Sequence, residues 1–517
     1  MRDGLQTVGL VLGDQLSPRP VVLGPQGRDL PLLMIEAPGE SLHIPSHKAR
    51  TVLFLSAMRH AARDWRAQGL ELSYIGLNDP DYGGLTGFGE RLRHWLGHHP
   101  VGRLECVEPG DHRLEQEIEA ACREAGVSLR WHEDAHFMIS RAEFSDWARD
   151  RKQLRMEHFY RFMRRRHSVL LTAAGEPEGG RWNFDAENRG TFGKDGPHSL
   201  PRPLSFPPDA ITIEVMQEVE GRFAANPGRL DHFAWPVTRA QALLALDDFI
   251  LHRLAGFGPH QDAMWTDMWF GWHALLASSL NLHLLDPREV LDRVLEAYRL
   301  GQADLPSVEG FIRQVLGWRE FMRGVYWLEM PALAEANGLM ADRPLPAWFW
   351  TGQTHMVCQS QVIGQTLATG YAHHIQRLMV TGLFGLLAEV RPAALSDWFH
   401  AVYVDAVDWV QRPNVLGMAL YTNEGRFTSK PYLASGAYLA KMSNYCKGCR
   451  YDPRQRTGPK ACPMTSLYWR FLIRHQGLLS ANPRTGLMAK QAERLSEPER
   501  AAILAWTDAL LEQSEAL

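Results

Sequence analysis

Cysteine is scarce in this 517-residue chain, which has only six. Long hydrophobic runs are missing altogether. No stretch of 18 apolar residues occurs, and no apolar segment follows a basic start at the N-terminus. Neither a membrane span nor a secretory signal is therefore expected, and cytoplasm is the expected compartment. There the six thiols are expected to be reduced, so disulfides are not what holds the fold together. An excess of charge is absent too: 55 Lys and Arg face 59 Asp and Glu, a net −4. That balance excludes an indiscriminate nucleic-acid coat but leaves room for a local basic groove. The fingerprint G-x-G-x-x-G is not found after the first strand-like stretch, where the turn reads GDQLS, so NAD is not expected in the usual way.

What is present is ordinary globular composition, 45% apolar and 22% charged, at a length that accommodates roughly two to four domains. The first 135 residues alternate apolar strands (7–12, 31–35, 70–75, 103–107, 128–131) with helical patterns (48–68, 88–96, 112–124). This alternation predicts a doubly wound parallel sheet. From about 175 to 236 the chain turns to Gly, Pro, Asn and charge and reads as a long connection. Beyond it, Leu243, Leu246, Ile250 and Leu254, and then Phe311, Val315, Trp318, Met322 and Val325, recur at helical spacing. The expected organisation is an α/β domain over 1–135, a linker over 136–236 and a large all-α domain over 237–517.

Four constellations could carry chemistry. His132-Glu133-Asp134-Ala135-His136 matches H-E-x-x-H, but it follows a predicted strand with no helical period, so both histidines do not share one helical turn and a zinc protease is not expected. Cys446-x2-Cys449-x12-Cys462 supplies three clustered thiolates, with Cys358 as a fourth, and suits tetrahedral zinc or an iron–sulfur cluster. Cys106 and Cys122 read as small buried hydrophobes. Residues 151–166 hold seven Lys and Arg against one acid, with Phe159, Tyr160 and Phe162 interleaved. They read as a solvated helix face or a phosphate-contacting one. Seventeen tryptophans, twelve of them after residue 230, mostly fill cores, yet Trp350, Trp398 and Phe399 sit near His373, His374, Arg377, Asp405 and Asn414. Arg377 and Asp405 could pair over a buried polar ligand, and a large flat cofactor would suit such company.

GDQLS, RWNFDAENR (181–189), EGFIRQVLGWREFMRG (309–324), AHHIQRLMV (372–380), PNVLGM (413–418), KPYLASGAY (430–438) and CKGC…CP together resemble the photolyase/cryptochrome superfamily. More narrowly they are similar to its bacterial iron–sulfur branch, the prokaryotic (6-4) photolyases, from end to end. The resemblance implies an α/β antenna domain and an all-α domain binding FAD, whose light-excited reduced form passes an electron to a flipped-out pyrimidine lesion in DNA. It implies a [4Fe-4S] cluster on Cys358, Cys446, Cys449 and Cys462. Around FAD it places Arg319, the pair Arg377 and Asp405, Asn414, and the segment 272–281 with His273, Leu275 and Ser278 at the phosphates. Gln411 falls at the position facing flavin N5, where relatives carry an acid, and an amide cannot deliver a proton as an acid can.

Tyr432, Tyr438, His373 and His374 match lesion-contacting positions, with His374 as the proton donor, a role suited to a pKa near neutrality. Trp398 and Trp350 match the electron relay. Phe399 stands where relatives have tyrosine. Gly13, Asp14 and Glu40 match an antenna site for 6,7-dimethyl-8-ribityllumazine. The partner implied is UV-damaged DNA, with no membrane and a monomeric chain. Two rival readings stand beside this one: a cryptochrome-type blue-light receptor, to which Gln411 and Phe399 lend weight, and an iron–sulfur nucleic-acid-binding protein.

Overall fold

A computed structural model of the protein describes residues 5–517. Five short strands, β1 (Gln6–Leu10), β2 (Leu32–Ile35), β3 (Leu72–Ile75), β4 (Val101–Val107) and β5 (Ser128–His132), form one parallel sheet in the order β3-β2-β1-β4-β5. The chain enters at the central strand and winds outward on both sides, as the alternating pattern predicts, with strand ends within two residues of those expected. Successive strand residues point to opposite faces. Leu32 and Met34 join a core continuous with the helical part, whereas Leu33 and Ile35 join a second core closed by Phe88, Leu92, Ile118 and Ala121. Helix α1 (Lys48–Ala67) therefore covers the first face, and α2 (Phe88–His98) and α3 (His112–Ala125) the second. Cys106 and Cys122 are buried in the second core. Helix α3 stops at Gly126, whose φ of 66° most side chains would resist.

The GDQLS turn has a structural use. Gln15 accepts the Leu12 N–H and donates to the carbonyls of Val107 and Glu108, so its amide stitches the end of β1 to the end of β4. After β5 the chain is not helical. His132 bonds Glu105 at 2.7 Å, and the Asp134 carboxylate accepts the His136 N–H in a turn, so H-E-x-x-H does not sit on one helical turn.

Helices α4 (Arg141–Ala148) and α5 (Met156–Arg166) follow. Within the stretch read as pure connection lies a further helix, α6 (Ala210–Arg222), started by Asp209, which accepts the Thr212 N–H at 3.0 Å. Arg59 of α1 clamps it by bridging Glu36 and Glu218. The N-cap aspartate and the buried face of Thr212, Val215, Val219 and Phe223 lay in plain sequence, but the Gly- and Pro-rich composition around them reads as loop.

The rest is helical. Three helices line the site described next: α7 from Leu305 to Glu329, α8 from His374 to Leu387 and α9 from Asp408 to Ala419. Each is locally widened and under-wound by a π segment, at Arg313–Arg319, Arg377–Gly382 and Pro413–Ala419 respectively. Pro413 has no N–H to give an i→i−4 bond, which explains where the α9 ladder gives way. At Gly382 a Cβ would meet the Arg377 carbonyl at 2.7 Å and Ala419 at 3.0 Å, so a glycine is needed where α8 and α9 touch. Among the described residues no helix is long and apolar enough to cross a membrane.

Candidate active site

The three π segments surround a cavity of about 310 Å³. Such segments insert an extra residue into a helix and concentrate at functional sites. Arg319, Arg377, Asp405, Gln411, Asn414, His273, Leu275 and His374 all line this one cavity, although they come from five separate stretches of chain. Arg377 uses its whole fork: Nη1 and Nη2 each donate to a carboxylate oxygen of Asp405 at 2.9 Å, and Nε donates to the Ala372 carbonyl. Its guanidinium also lies 3.8 Å from the Tyr403 ring centroid. Burial works against that charge, but Asp405 and then the tyrosines outweigh it and hold the guanidinium above its ordinary pKa. Asn281 fixes the other partner by donating to the Asp405 carbonyl.

Arg319 is different. It is buried, pairs once with Glu320 at 2.8 Å, and leaves Nε and Nη2 without a partner. Burial lowers its pKa. Buried donors of this kind are ordinarily satisfied, so two unpartnered nitrogens on a cation at a cavity wall fit an electron-rich polar guest. With apolar walls from Leu275, Trp318 and Phe399, the cavity suits the flat ring system of a flavin.

His273, His373 and His374 form one cluster. The His273 and His373 rings stack at 4.3 Å and 13°. His373 lies behind the cavity wall, buried, with neither ring nitrogen partnered. His374 faces the cavity. Burial first, then the Arg377 charge, pushes its pKa down to about 4. Burial and His374 push His273 to about 3. A histidine titrating near neutrality is thus not what the cavity residues by themselves provide, because burial and the Arg377 charge both disfavour the imidazolium. Ser278 is buried just behind the wall with its hydroxyl unpartnered. Tyr432 and Tyr438 do not line the cavity; they are half-buried near Asp185 and Asp262, and burial followed by those carboxylates raises both phenols.

Trp398 is fully buried, its ring 5.3 Å from Phe399, which lines the cavity. On its other side it meets the Phe349 ring at 5.0 Å and donates to the Phe349 carbonyl, and the next residue, Trp350, is 43% exposed. The two expected relay tryptophans therefore mark a line from surface to cavity. A second cavity of about 120 Å³ contains Gly13, Asp14 and Glu40, with His400 and Asp408 contributed by the helical part. Burial and the nearby Asp134 push the Asp14 carboxyl up to about 7.

All six cysteines are free. Burial first, then the neighbouring Cys462, Cys446 and Cys449, raises the Cys358 thiol. Among the described residues, however, no three ligand-type side chains close tightly enough to hold a single ion. A Cβ on Gly436 would stand 2.9 Å from the Cys462 sulfur. The basket is thus shaped by a missing side chain, and its donor set is four thiols, a type that binds zinc or an iron–sulfur cluster as thiolates.

In the basic-aromatic segment, Phe159, Tyr160 and Arg164 are buried, and Arg164 serves the Val169, Leu170 and Trp182 carbonyls. Arg151, Lys152, Arg155 and Arg165 remain on the surface. Sequence reasoning missed Tyr403, the aromatic platform under Arg377, and Gln376, three residues after His373 at capping spacing, which was the available signal.

A sheet-bearing part leading into a helical part, with one cavity within the helices and a second where the two meet, is the architecture of the photolyase class. The crystal structure of a bacterial class III photolyase from Agrobacterium tumefaciens superposes with a TM-score of 0.53 at 14% identity, over 98% of both chains, which speaks for the fold alone. The family model described as deoxyribodipyrimidine photo-lyase-related protein matches residues 9–235. The (6-4) photolyase of Agrobacterium fabrum (strain C58) is 42% identical over 494 residues, 95% of this chain and 96% of that protein. The chain belongs to the photolyase/cryptochrome superfamily, in its prokaryotic (6-4) photolyase branch, a family that uses a flavin.

Proposed function

We propose that the protein is a light-driven DNA (6-4) photolyase that binds FAD in the larger cavity. The observation that carries this reading is the meeting, in one cavity, of the bidentate Arg377–Asp405 pair with His374, in a chain 42% identical along its length to a (6-4) photolyase. Bound flavin supplies the light-excited electron that opens the lesion. Arg377 and Asp405 hold the polar edge of the ring, Arg319 offers its two unpartnered nitrogens, and the apolar wall excludes water. The segment 272–281 receives the phosphates, with His273 at its start against the histidine cluster.

His374 is the proton donor to the lesion. The negative charge of cofactor and lesion opposes the Arg377 effect and brings the imidazole up from about 4 into working range. Tyr432 and Tyr438 form the outer walls for the flipped-out bases, where stacking on aromatic rings is worth about 1–3 kcal/mol per base. Trp398 and Trp350 pass electrons inward from the surface. Cys358, Cys446, Cys449 and Cys462 hold a [4Fe-4S] cluster as a structural staple. The second cavity, with Gly13, Asp14 and Glu40, takes a lumazine antenna. Arg151, Lys152, Arg155 and Arg165 are the remaining phosphate contacts on α5 and its approach.

The test is blue-light illumination of reduced protein with oligonucleotides carrying either a (6-4) photoproduct or a cyclobutane dimer, followed by chromatography. Light-dependent recovery of the parent bases from the (6-4) substrate alone supports the enzyme. No reversal of either lesion by protein with fully reduced flavin overturns it in favour of a photoreceptor.

A further inference from the structure

The most thoroughly tied polar side chain beside the histidine cluster is one that the mechanism above does not use. Gln376 is fully buried. Its Oε1 accepts the His373 backbone N–H at 3.1 Å and the Gln365 amide at 2.8 Å. Its Nε2 donates to Gln365 Oε1 at 3.2 Å and to the Tyr445 hydroxyl at 3.1 Å. The bond to His373 is made to the residue that starts α8, so it fixes where the helix begins and hence where His374, the first helical residue, points. His373 has no side-chain anchor of its own beyond its stack on His273. The placement of both histidines therefore falls to the backbone that Gln376 holds.

Tyr445, 1% exposed, is the residue before Cys446 and opens the short turn Tyr445–Gly448. Its backbone is fixed in turn by Ser443, whose hydroxyl accepts the Tyr445 N–H. Three contacts thus lead from the cysteine basket to the proton-handling end of the larger cavity: Cys446 to Tyr445 along the chain, Tyr445 to Gln376, and Gln376 to His373.

We propose that Tyr445 and Gln376 are positioning residues for the His373–His374 pair, and that they tie the geometry of the cysteine loop to that of the site. For what the histidines do, this rests on the photolyase reading; for the strut itself it does not. Removing the Tyr445 hydroxyl leaves one Nε2–H of a buried amide without a partner. The amide then turns to share its remaining partner, and the His373 cap loosens.

The test is Tyr445→Phe in the complete holoprotein, which keeps the ring and deletes only the hydroxyl, with Gln376→Met as the second variant. Iron and flavin content are expected to match the wild type. Hydrogen exchange of the backbone amides at 373–377 is expected to quicken about tenfold, while exchange in the sheet stays unchanged. The single-turnover repair rate in saturating light falls about three- to tenfold with KM for lesion DNA unaltered, and its pH profile moves with the altered His374 environment. Unchanged exchange at 373–377 in Tyr445→Phe overturns the proposal. So does faster exchange that only accompanies iron loss, because Tyr445 would then serve the basket alone. If wild-type protein repairs neither lesion while Tyr445→Phe still quickens exchange, the photolyase reading fails and the strut stands.

Discussion

At the residue scale the site is decided by how buried charges find partners. Arg377 has all three of its guanidinium nitrogens engaged, and Asp405 is its single counter-charge. Asp405→Asn keeps the shape but leaves a buried guanidinium unbalanced, a change that ordinarily costs about 3–5 kcal/mol. The expected result is soluble protein that loses its flavin on mild warming, read as the rise of free-flavin fluorescence, and a variant retaining flavin like the wild type would count against the pair as its clamp. His374 carries the complementary burden. Replacing it with Asn preserves size and some hydrogen bonding but removes a group able to give up a proton, so repair is expected to fall about 10²- to 10⁴-fold. Flavin content and lesion-DNA affinity should hardly move, and parallel loss of affinity would recast His374 as a binding residue. Trp398, buried between Phe399 and Phe349, makes a third case. Trp398→Phe should slow light-driven reduction of the flavin at least about tenfold, since phenylalanine is far harder to oxidise, while protein reduced chemically beforehand repairs at the normal rate. Unslowed photoreduction would move the relay elsewhere.

At the element scale the sheet was legible because strand alternation is a local signal: Leu33 and Ile35 face one core and Leu32 and Met34 the other in any register that buries both. The second helical stripe was legible for the same reason. What could not be read was where helices depart from their own period. The π segments at Arg313–Arg319, Arg377–Gly382 and Pro413–Ala419 are set by tertiary contact around the cavity, and only Pro413 announces itself in the sequence. Helix α6 was hidden because its short stripe of Val215, Val219 and Phe223 sits within a Gly- and Pro-rich stretch, and Arg59 bridging two acids completes its docking. The site residues were found through motif resemblance, whereas Tyr403 and Gln376 act through neighbours distant in sequence and leave little trace alone. The cysteine loop gives an element-scale prediction. Because a Cβ at Gly436 would crowd Thr465 Oγ1 at 2.8 Å and the Cys462 sulfur at 2.9 Å, Gly436→Ala should displace a ligand. Iron should then be lost to a chelator at least about tenfold more readily, and undiminished retention would put the metal group elsewhere.

At the scale of the whole molecule, the two halves meet through buried groups that must stay neutral. His47 starts α1 and reaches across to the Leu367 carbonyl, while burial holds its pKa at about 4. His136 stacks on His283 at 3.7 Å beside Asp134, and burial brings His283 to about 4. In the larger cavity His273 and His374 are depressed to about 3 and about 4. A histidine whose folded pKa lies below its unfolded value near 6.5 binds fewer protons when folded, so its contribution is complete above pH 6.5 and is lost as pH falls toward the folded value. Each such group changes stability by about 1 kcal/mol per pH unit across that window. Asp14, raised to about 7, opposes them, because it is protonated in the folded state where the unfolded chain has released its proton. Asp262, raised by burial to about 6, acts in the same opposing sense as Asp14, so the depressed histidines set the direction of the pH dependence, a loss of stability as pH falls below 6.5, and these carboxyls reduce its size. Melting followed by circular dichroism at pH 7, 6 and 5 is therefore expected to move steadily downward, without the plateau that surface carboxylates alone would allow. A melting temperature that stays level to pH 5 would mean that these imidazoles are solvated or paired in the working protein, and the neutral seam between the halves would have to be abandoned.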